Sequence, residues 1–285
     1  MNVAIVGAGL AGLSCARVLH DDGLAVQVFD KGRAPGGRVS TRTSEAGTFD
    51  HGAAMLHGLP ADFISIHAAT LSSGAEAVNP APVANALPRS MAEGLDVTQS
   101  AKITGITRED ACWSLSFEDG STRHADRLGI CIPPAQAKAL LPEDVAFEIA
   151  AEMRPQWTLM AACRTGTDRD VIQLGDGHVA RRQGGSDPER WVVQADAAWS
   201  ADNVDTARDV VRDLLWQAFR TVTDAGGAHY LAIHRWLYAR TRTPLDAPCL
   251  WDPEAAIGVA GDWCLGDTAG DAVLSGRALA KEMLT

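Results

Sequence analysis

The sequence predicts an α/β fold, built on a doubly wound parallel sheet that shares the chain with a smaller α+β portion. Three observations carry this. The chain opens with an apolar run, a helical stretch and a second apolar run inside its first thirty residues. Glycine-bounded apolar runs of the same kind return at 129–132 and 256–262. Between these lies a long region in which strand-like and helix-like patterns alternate. Short apolar runs of this type mark strands buried on both faces, and strand–helix–strand in so short a span implies a right-handed parallel crossover.

Taken in order, Val3 to Val6 is the first buried strand. Leu10, Leu13, Ala16 and Leu19 then recur at helical spacing, with Gly23 placed to end the helix. The run 24–30, LAVQVFD, is the second strand. Residues 57–92 are rich in Ala, Pro and Ser with weak periodicity, which predicts an inserted segment. A strand pattern resumes at 95–106, and 112–132 alternates about Asp119-Gly120, a hairpin signal. The buried strand Gly129 to Ile132 is ended by Pro133-Pro134. Further on, WTLMAACRT, RWVVQADAAW and HYLAIHRWLYAR read as strands. Val211, Leu214, Leu215, Ala218, Phe219 and Val222 stripe one face of an amphipathic helix, and 271–284 is a closing helix.

Composition narrows the function classes. A chain of 285 residues can bury a generous core. Its net charge of −11 disfavours non-specific binding to nucleic acid or an anionic membrane, yet allows a local basic pocket. No apolar run of about eighteen residues is present to span a bilayer. The N-terminus reads as a strand, not a signal peptide. Six cysteines (Cys15, Cys112, Cys131, Cys163, Cys249, Cys264) are scattered without a CxxC pair. That argues against zinc, any other metal centre or a disulfide framework, and for reduced thiols in a cytoplasm.

Gly7, Gly9 and Gly12 form GxGxxG between predicted strand and helix. Gly7 suits a tight turn, Gly9 lets a pyrophosphate approach the backbone, and Gly12 lets helix and strand pack closely. The helix N-terminus adds amide donors and partial positive charge. Asp30 ends the second strand, where a carboxylate can accept from ribose hydroxyls. Together these predict dinucleotide binding without separating NAD from FAD. The stretch FDKGRAPGGRVSTR then offers Gly36-Gly37 for backbone amides facing a phosphate, and Arg38 for a charge-assisted contact. A second phosphate cradle so close to the ribose acid suits the longer FAD. Asp262, leaving the last buried strand, can accept from a ribityl chain. The helix starting near Asp271 is placed to aim its positive end at a flavin, with Ala272, Gly276 and Ala280 allowing close packing.

VAIVGAGLAGLSCA, FDKGRAPGGRVSTR, FDHGAAM, HRWLYAR and AGDWCLGDTAGDAVLSG together resemble the flavin-containing amine oxidase superfamily, and within it the renalase-like branch. The resemblance covers about half the chain. It implies a noncovalent FAD in a doubly wound Rossmann-type domain, interleaved with a smaller α+β substrate domain. Carried over by position, Ala11, Asp30, Lys31, Arg38, Ala54, Met55, Ile103 and Asp262 would touch FAD. The implied chemistry is hydride removal from misreduced NAD(P)H isomers, with dioxygen reoxidising the flavin to give hydrogen peroxide. Departures are plain. Asp50-His51-Gly52-Ala53 is followed by Ala54-Met55 where renalases have Gln-Tyr, and NPAPVANAL replaces a glycine-proline-glycine-methionine segment. The alternatives are an amine oxidase or desaturase, and a flavin-binding protein without catalysis.

The expected boundaries place FAD binding in 1–56, 93–134 and 232–285, and the substrate domain in 57–92 and 135–231. His234, Trp236 and Tyr238 alternate along one strand face, as a core face with satisfied polar tips or as a face orienting substrate. Trp263 reads equally as a ring-packing or a core residue, and His51 as a flavin neighbour or a surface turn histidine. Arg164, Arg181, Arg182 and Arg235 are either phosphate ligands of a substrate or surface charges. Oligomeric state is open.

Overall fold

The computed structural model describes residues 1–73, 77–109 and 112–285. The first apolar run forms strand β1 (Asn2–Val6), followed by helix α1 (Leu10–Asp21) and strand β2 (Ala25–Phe29). β1 and β2 pair in parallel from Asn2↔Ala25 to Val6↔Phe29. They lie within a six-stranded sheet of order Leu250–Asp252, Ile257–Val259, Arg127–Ile130, β1, β2, Asp96–Thr98. Only the Leu250–Asp252 edge strand is antiparallel to its neighbour. The chain leaves β1 for β2 on one side and reaches Arg127–Ile130 on the other, so connections reverse at β1. Parallel strands share one C-terminal edge, and Gly7, Asp30, Cys131 and Asp262 all follow strands that end there. That edge, at the reversal, is where doubly wound sheets bind ligands.

The predicted hairpin forms about Asp119-Gly120, joining Cys112–Phe117 to Thr122–Ala125, with Gly120 at φ +84°. Ile103–Glu109 completes a three-stranded antiparallel sheet. Its inner residues Trp113 and Leu115 share one apolar cluster with Val6, Phe29, Ile130, Val259 and Trp263. On the other side of the six-stranded sheet, α1 meets the last helix, Ala269–Leu284, backbone to backbone. A Cβ built on Gly276 would lie 2.0 Å from the Ala11 carbonyl oxygen.

The chain divides into two compact units, 1–39 with 55–153 and 241–285, and 40–54 with 154–240. The boundaries differ from those expected at every crossing. Residues 57–92 belong to the first unit, where Phe63, Leu87 and Met91 are buried. So do 135–153: Pro133-Pro134 ends one strand but also starts a helix, Pro134–Leu140, and Ala137, Val145 and Ile149 join the Trp113 cluster. Conversely, 40–54 and 232–240 fall in the second unit. Strand β3 (Thr41–Ser44) and strand β4 (Gly47–Asp50) form a hairpin there, which the sequence reading left unassigned.

The second unit is built on a five-stranded sheet of order Val171–Gln173, Val179–Arg182, Glu189–Gln194, Glu152–Cys163, Ala228–Thr243. Helix Arg208–Thr223 buries Val211, Leu215, Phe219 and Thr223 against Trp157, Leu159 and Trp191. This is one row at four-residue spacing. Leu214 and Val222, expected on the same stripe, are 45% and 49% exposed because they lie on its flanks.

The α1 contact gives a stability prediction. Gly276→Ala drives a methyl into backbone that cannot yield, so the thermal melt should show a loss of about 1–3 kcal/mol. An unchanged melting temperature would mean the two helices do not approach at Gly276.

Candidate functional site

Three glycines of the first turn are present for two different reasons. Gly7 sits at φ +102°, and a Cβ there would lie 2.5 Å from the Cys131 carbonyl oxygen. At Gly12 a Cβ would lie 1.9 Å from the Gly7 carbonyl oxygen. Both are required by the fold itself. Gly9 is not: its φ of −80° suits any residue, and a Cβ there meets nothing within 4 Å. What a side chain at Gly9 would fill is the space before the N-terminus of α1. No side chain caps that helix, and the amides of Leu10, Ala11 and Gly12 find no acceptor among the described residues. Unpaired amides on a helix end are a ready anion site.

The loop 31–39 folds back onto this turn. The Gly36 amide donates to the Ala8 carbonyl at 2.7 Å. Gly37, at φ +56°, would place a Cβ 3.5 Å from the Gly9 Cα, so the glycine pair lies beside the open turn. Asp30 ties the arrangement together. Its Oδ2 accepts from the Ala8 amide at 2.7 Å and its Oδ1 from the Gly32 amide at 2.6 Å. Each oxygen keeps a lone pair for a ribose hydroxyl. Lys31 is exposed, and its Nζ donates to Gln136 Oε1 at 3.1 Å.

Arg38 and Asp262 were expected to meet different parts of a ligand. The structure joins them to each other. Arg38 donates through both terminal nitrogens to Asp262, at 2.8 and 2.5 Å, in the bidentate geometry that suits guanidinium and carboxylate. Thr241 Oγ1 adds a longer contact of 3.4 Å to Asp262 Oδ2. The Asp262 side chain is 4% exposed and that of Arg38 31%. Burial disfavours the Arg38 charge, and Asp262 more than offsets it, raising the guanidinium pKa above its ordinary value.

The last helix departs further from expectation. It begins at Ala269, and Thr268 caps it in a reciprocal box with Asp271. Gly270 donates its amide to the His57 carbonyl at 3.0 Å, and a Cβ on Gly270 would lie 1.8 Å from the Gly58 carbonyl oxygen. The His57 carbonyl and the Thr268 hydroxyl therefore take the Gly270 and Asp271 amides, two of the donors that were expected to face a flavin. The signal was present as Thr268-x-x-Asp271, a capping-box spacing. Ala272 is buried in that first turn. Trp263 is a core residue, 1% exposed, with Nε1 donating to the Ile132 carbonyl at 3.1 Å, so its indole offers no surface to a ring. Ile103 is half-buried against the same core, Ala11 is buried, and Ala54 and Met55 are half-buried in irregular chain after β4.

In the second unit, β3–β4 packs on one face of the long strand Ala228–Thr243. Phe49 stacks on Tyr230 with centroids 5.5 Å apart. Two residues on, His51 lies 5.0 Å from His234 and 5.2 Å from Trp236, and His234 and Trp236 lie 4.3 Å apart. The Trp236 Nε1 donates to the His51 carbonyl at 3.0 Å. His51 is 6% exposed, which sets aside the surface-turn reading. Burial, aided by the Arg42 charge and partly opposed by the Phe49 and Ser40 carbonyls, lowers its pKa to about 4. Burial first, then the charges of His51, Arg208 and Arg42, lowers His234 to about 4 as well. Tyr238 follows on the same strand face, half-buried. Arg164 pairs with Asp187, Arg182 lies over Trp191, and Arg235 donates to the Val204 carbonyl. Arg181 is half-buried on the Val179–Arg182 strand.

The open Gly9, the uncapped α1, the Gly36-Gly37 loop and Asp30 fit a dinucleotide's pyrophosphate and ribose. All six cysteines are free thiols, and no cluster able to hold a metal ion occurs among the described residues. No described helix is long and apolar enough to cross a membrane.

Comparison with known proteins agrees on the fold. The NAD(P)-binding Rossmann-like domain family matches at residues 5–65. A protein assigned as a protoporphyrinogen oxidase, from Exiguobacterium sp. 255-15, superposes with a TM-score of 0.72 at 12% identity, over 99% of this chain and 98% of that one. Cyclohexylamine oxidase from Brevibacterium oxydans IH-35A gives 0.71 at 15% identity over the same shares. A putrescine oxidase redesigned in its cofactor binding gives 0.65 at 12%, again over 99% and 98%. The chain therefore has the Rossmann-like α/β fold that these neighbours share.

Two variants separate ligand binding from folding. Gly9→Ala should leave the unfolding free energy of the apoprotein within about 0.5 kcal/mol of the parent, while dinucleotide retention on purification falls. Retention of a full complement would show that the open turn is not the cradle. Arg38→Ala leaves Asp262 buried and unpaired, and urea denaturation should show a loss of about 3–5 kcal/mol. Replacing both residues with apolar ones should recover most of it.

Proposed function

We propose that this protein is an FAD-dependent oxidoreductase of renalase type, taking a hydride from misreduced 2- or 6-dihydro isomers of NAD(P)H. The observation that carries the cofactor assignment is the unpaired first turn of α1 opening onto the space at Gly9. The loop 31–39 lengthens that cradle at Gly37, which supports the longer FAD over NAD, each of which carries a single pyrophosphate. When bound, FAD supplies a two-electron acceptor that dioxygen can reoxidise with release of hydrogen peroxide. The residues of the chain bind and orient. The α1 amides receive the pyrophosphate, Asp30 receives the ribose, and the Arg38–Asp262 pair holds the loop 31–39 in place. His234, Trp236 and Tyr238 orient the substrate.

The substrate reading rests on what the second unit presents. Neither histidine of the cluster is charged above pH 5, by the lowered values of both. An uncharged aromatic face suits a planar ring that gives up a hydride without prior deprotonation. Of the two tyrosines in the chain, Tyr230 is committed to stacking on Phe49, so a tyrosine pair flanking an amine does not form. Amine oxidation is the second reading, favoured by the names of the cyclohexylamine and putrescine oxidase neighbours. Six free thiols support a cytoplasmic site of action as part of this proposal.

Purified protein should be yellow. Under anaerobic conditions the 2- or 6-dihydro isomers of NADH should bleach it, with peroxide appearing when air is admitted. Bleaching by alkylamines instead would move the assignment to the second reading. Colourless protein that takes up no FAD would end both.

A further inference from the structure

The histidine that the sequence made least of is the one around which the second unit's cluster is organised. His51 ends the β3–β4 hairpin and touches both of its aromatic neighbours: its ring lies 5.0 Å from His234 at 83° and 5.2 Å from Trp236 at 30°. Its backbone carbonyl accepts the Trp236 indole proton at 3.0 Å. The neighbouring backbone is fixed in turn, since the Gly52 carbonyl accepts from Gln194 Nε2 at 3.0 Å and the Asp50 amide donates to Gln183 Oε1 at 3.1 Å. His51 Nδ1 is buried without a hydrogen-bond partner, a cost that charging the ring would multiply.

The geometry points to His51 as a positioning residue, holding Trp236 through its carbonyl and His234 through its ring so that both present one rigid, uncharged face. It acts through its neighbours, because its own ring is enclosed. Four groups share the electrostatics of this face. Arg42 lies opposite Phe49 in the hairpin register and so on the side of His51. Arg208, at the start of its helix, also bears on His234. Tyr230 and Tyr238 flank the cluster along the long strand. Asp50 points to the other side of the hairpin, where Thr41 Oγ1 donates to it at 2.6 Å. Both cationic neighbours reinforce neutrality, so the face stays uncharged until the two histidines begin to take up protons near pH 4.

The role assigned to His51 rests on the substrate side proposed above, but its test does not. In the full-length holoprotein, the His234 ring should titrate near pH 4 by NMR. In His51→Ala, water reaches the gap, and the His234 midpoint should rise by roughly one unit or more toward its ordinary value. His51→Phe keeps the stacking and should leave the midpoint within about half a unit of the parent. FAD content should be equal in all three. With the 6-dihydro isomer of NADH as probe, His51→Ala should raise KM about tenfold with a smaller change in kcat, the pattern of lost positioning, and His51→Phe should restore most of it. If His51→Ala is poorly folded, His51→Gln takes its place in the same titration. An unmoved His234 midpoint in the substituted protein overturns the proposal. A moved midpoint in a protein that oxidises no dihydropyridine supports the positioning role and removes the substrate reading instead.

Discussion

Asp262 carries its charge into the interior, and a carboxylate almost without solvent is tolerable only beside a well-placed cation. Arg38 meets that requirement across 224 residues of sequence, and it does so with both of its terminal nitrogens. Much else at the sheet's C-terminal edge depends on the pair. Because Arg38 is fixed, Gly36 and Gly37 are fixed beside Ala8 and Gly9, and the loop that Asp30 begins is closed at its far end. The ion pair sets the walls of the cradle, and the glycines set its depth.

The parts of this architecture that the sequence reveals are those ruled by local sterics. Gly7 and Gly12 admit no other residue, and GxGxxG between a strand and a helix announces as much. The buried strands were legible for the same reason, as short apolar runs need no partner to be recognised. Where a residue has a choice of partners, sequence is silent. Arg38 and Asp262 each read as a ligand contact, and nothing in either segment says they satisfy one another. The blocked N-terminus of the last helix is similar: Thr268 and Asp271 spell out a cap, but the approach of His57-Gly58 is a tertiary fact. Trp263 could not be sorted between core and ring without its hydrogen bond to Ile132. The compact units divide the chain differently from the expected functional boundaries, for a related reason. The segment 57–92 has weak periodicity, yet Phe63, Leu87 and Met91 are enough to bury it in the first unit.

The two units handle charge in opposite ways. The first concentrates it, pairing a half-buried arginine with a buried aspartate and leaving helix amides unpaired. The second removes it, burying two imidazoles until neither is protonated at neutral pH. The net charge of −11 does not set the potential at the open end of α1, which its own unpaired amides make positive.

The pairing of Ile257–Val259 with Arg127–Ile130, and the seat of the last helix on α1, also govern biosynthesis. On the ribosome, β1 and α1 are made long before Ile257–Val259 and the last helix, and they lack that strand and that cover until residue 284 has been translated. The second unit has all its strands by residue 243 and can close sooner. The nascent Rossmann-like sheet thus stays half-covered until the last helix has been made.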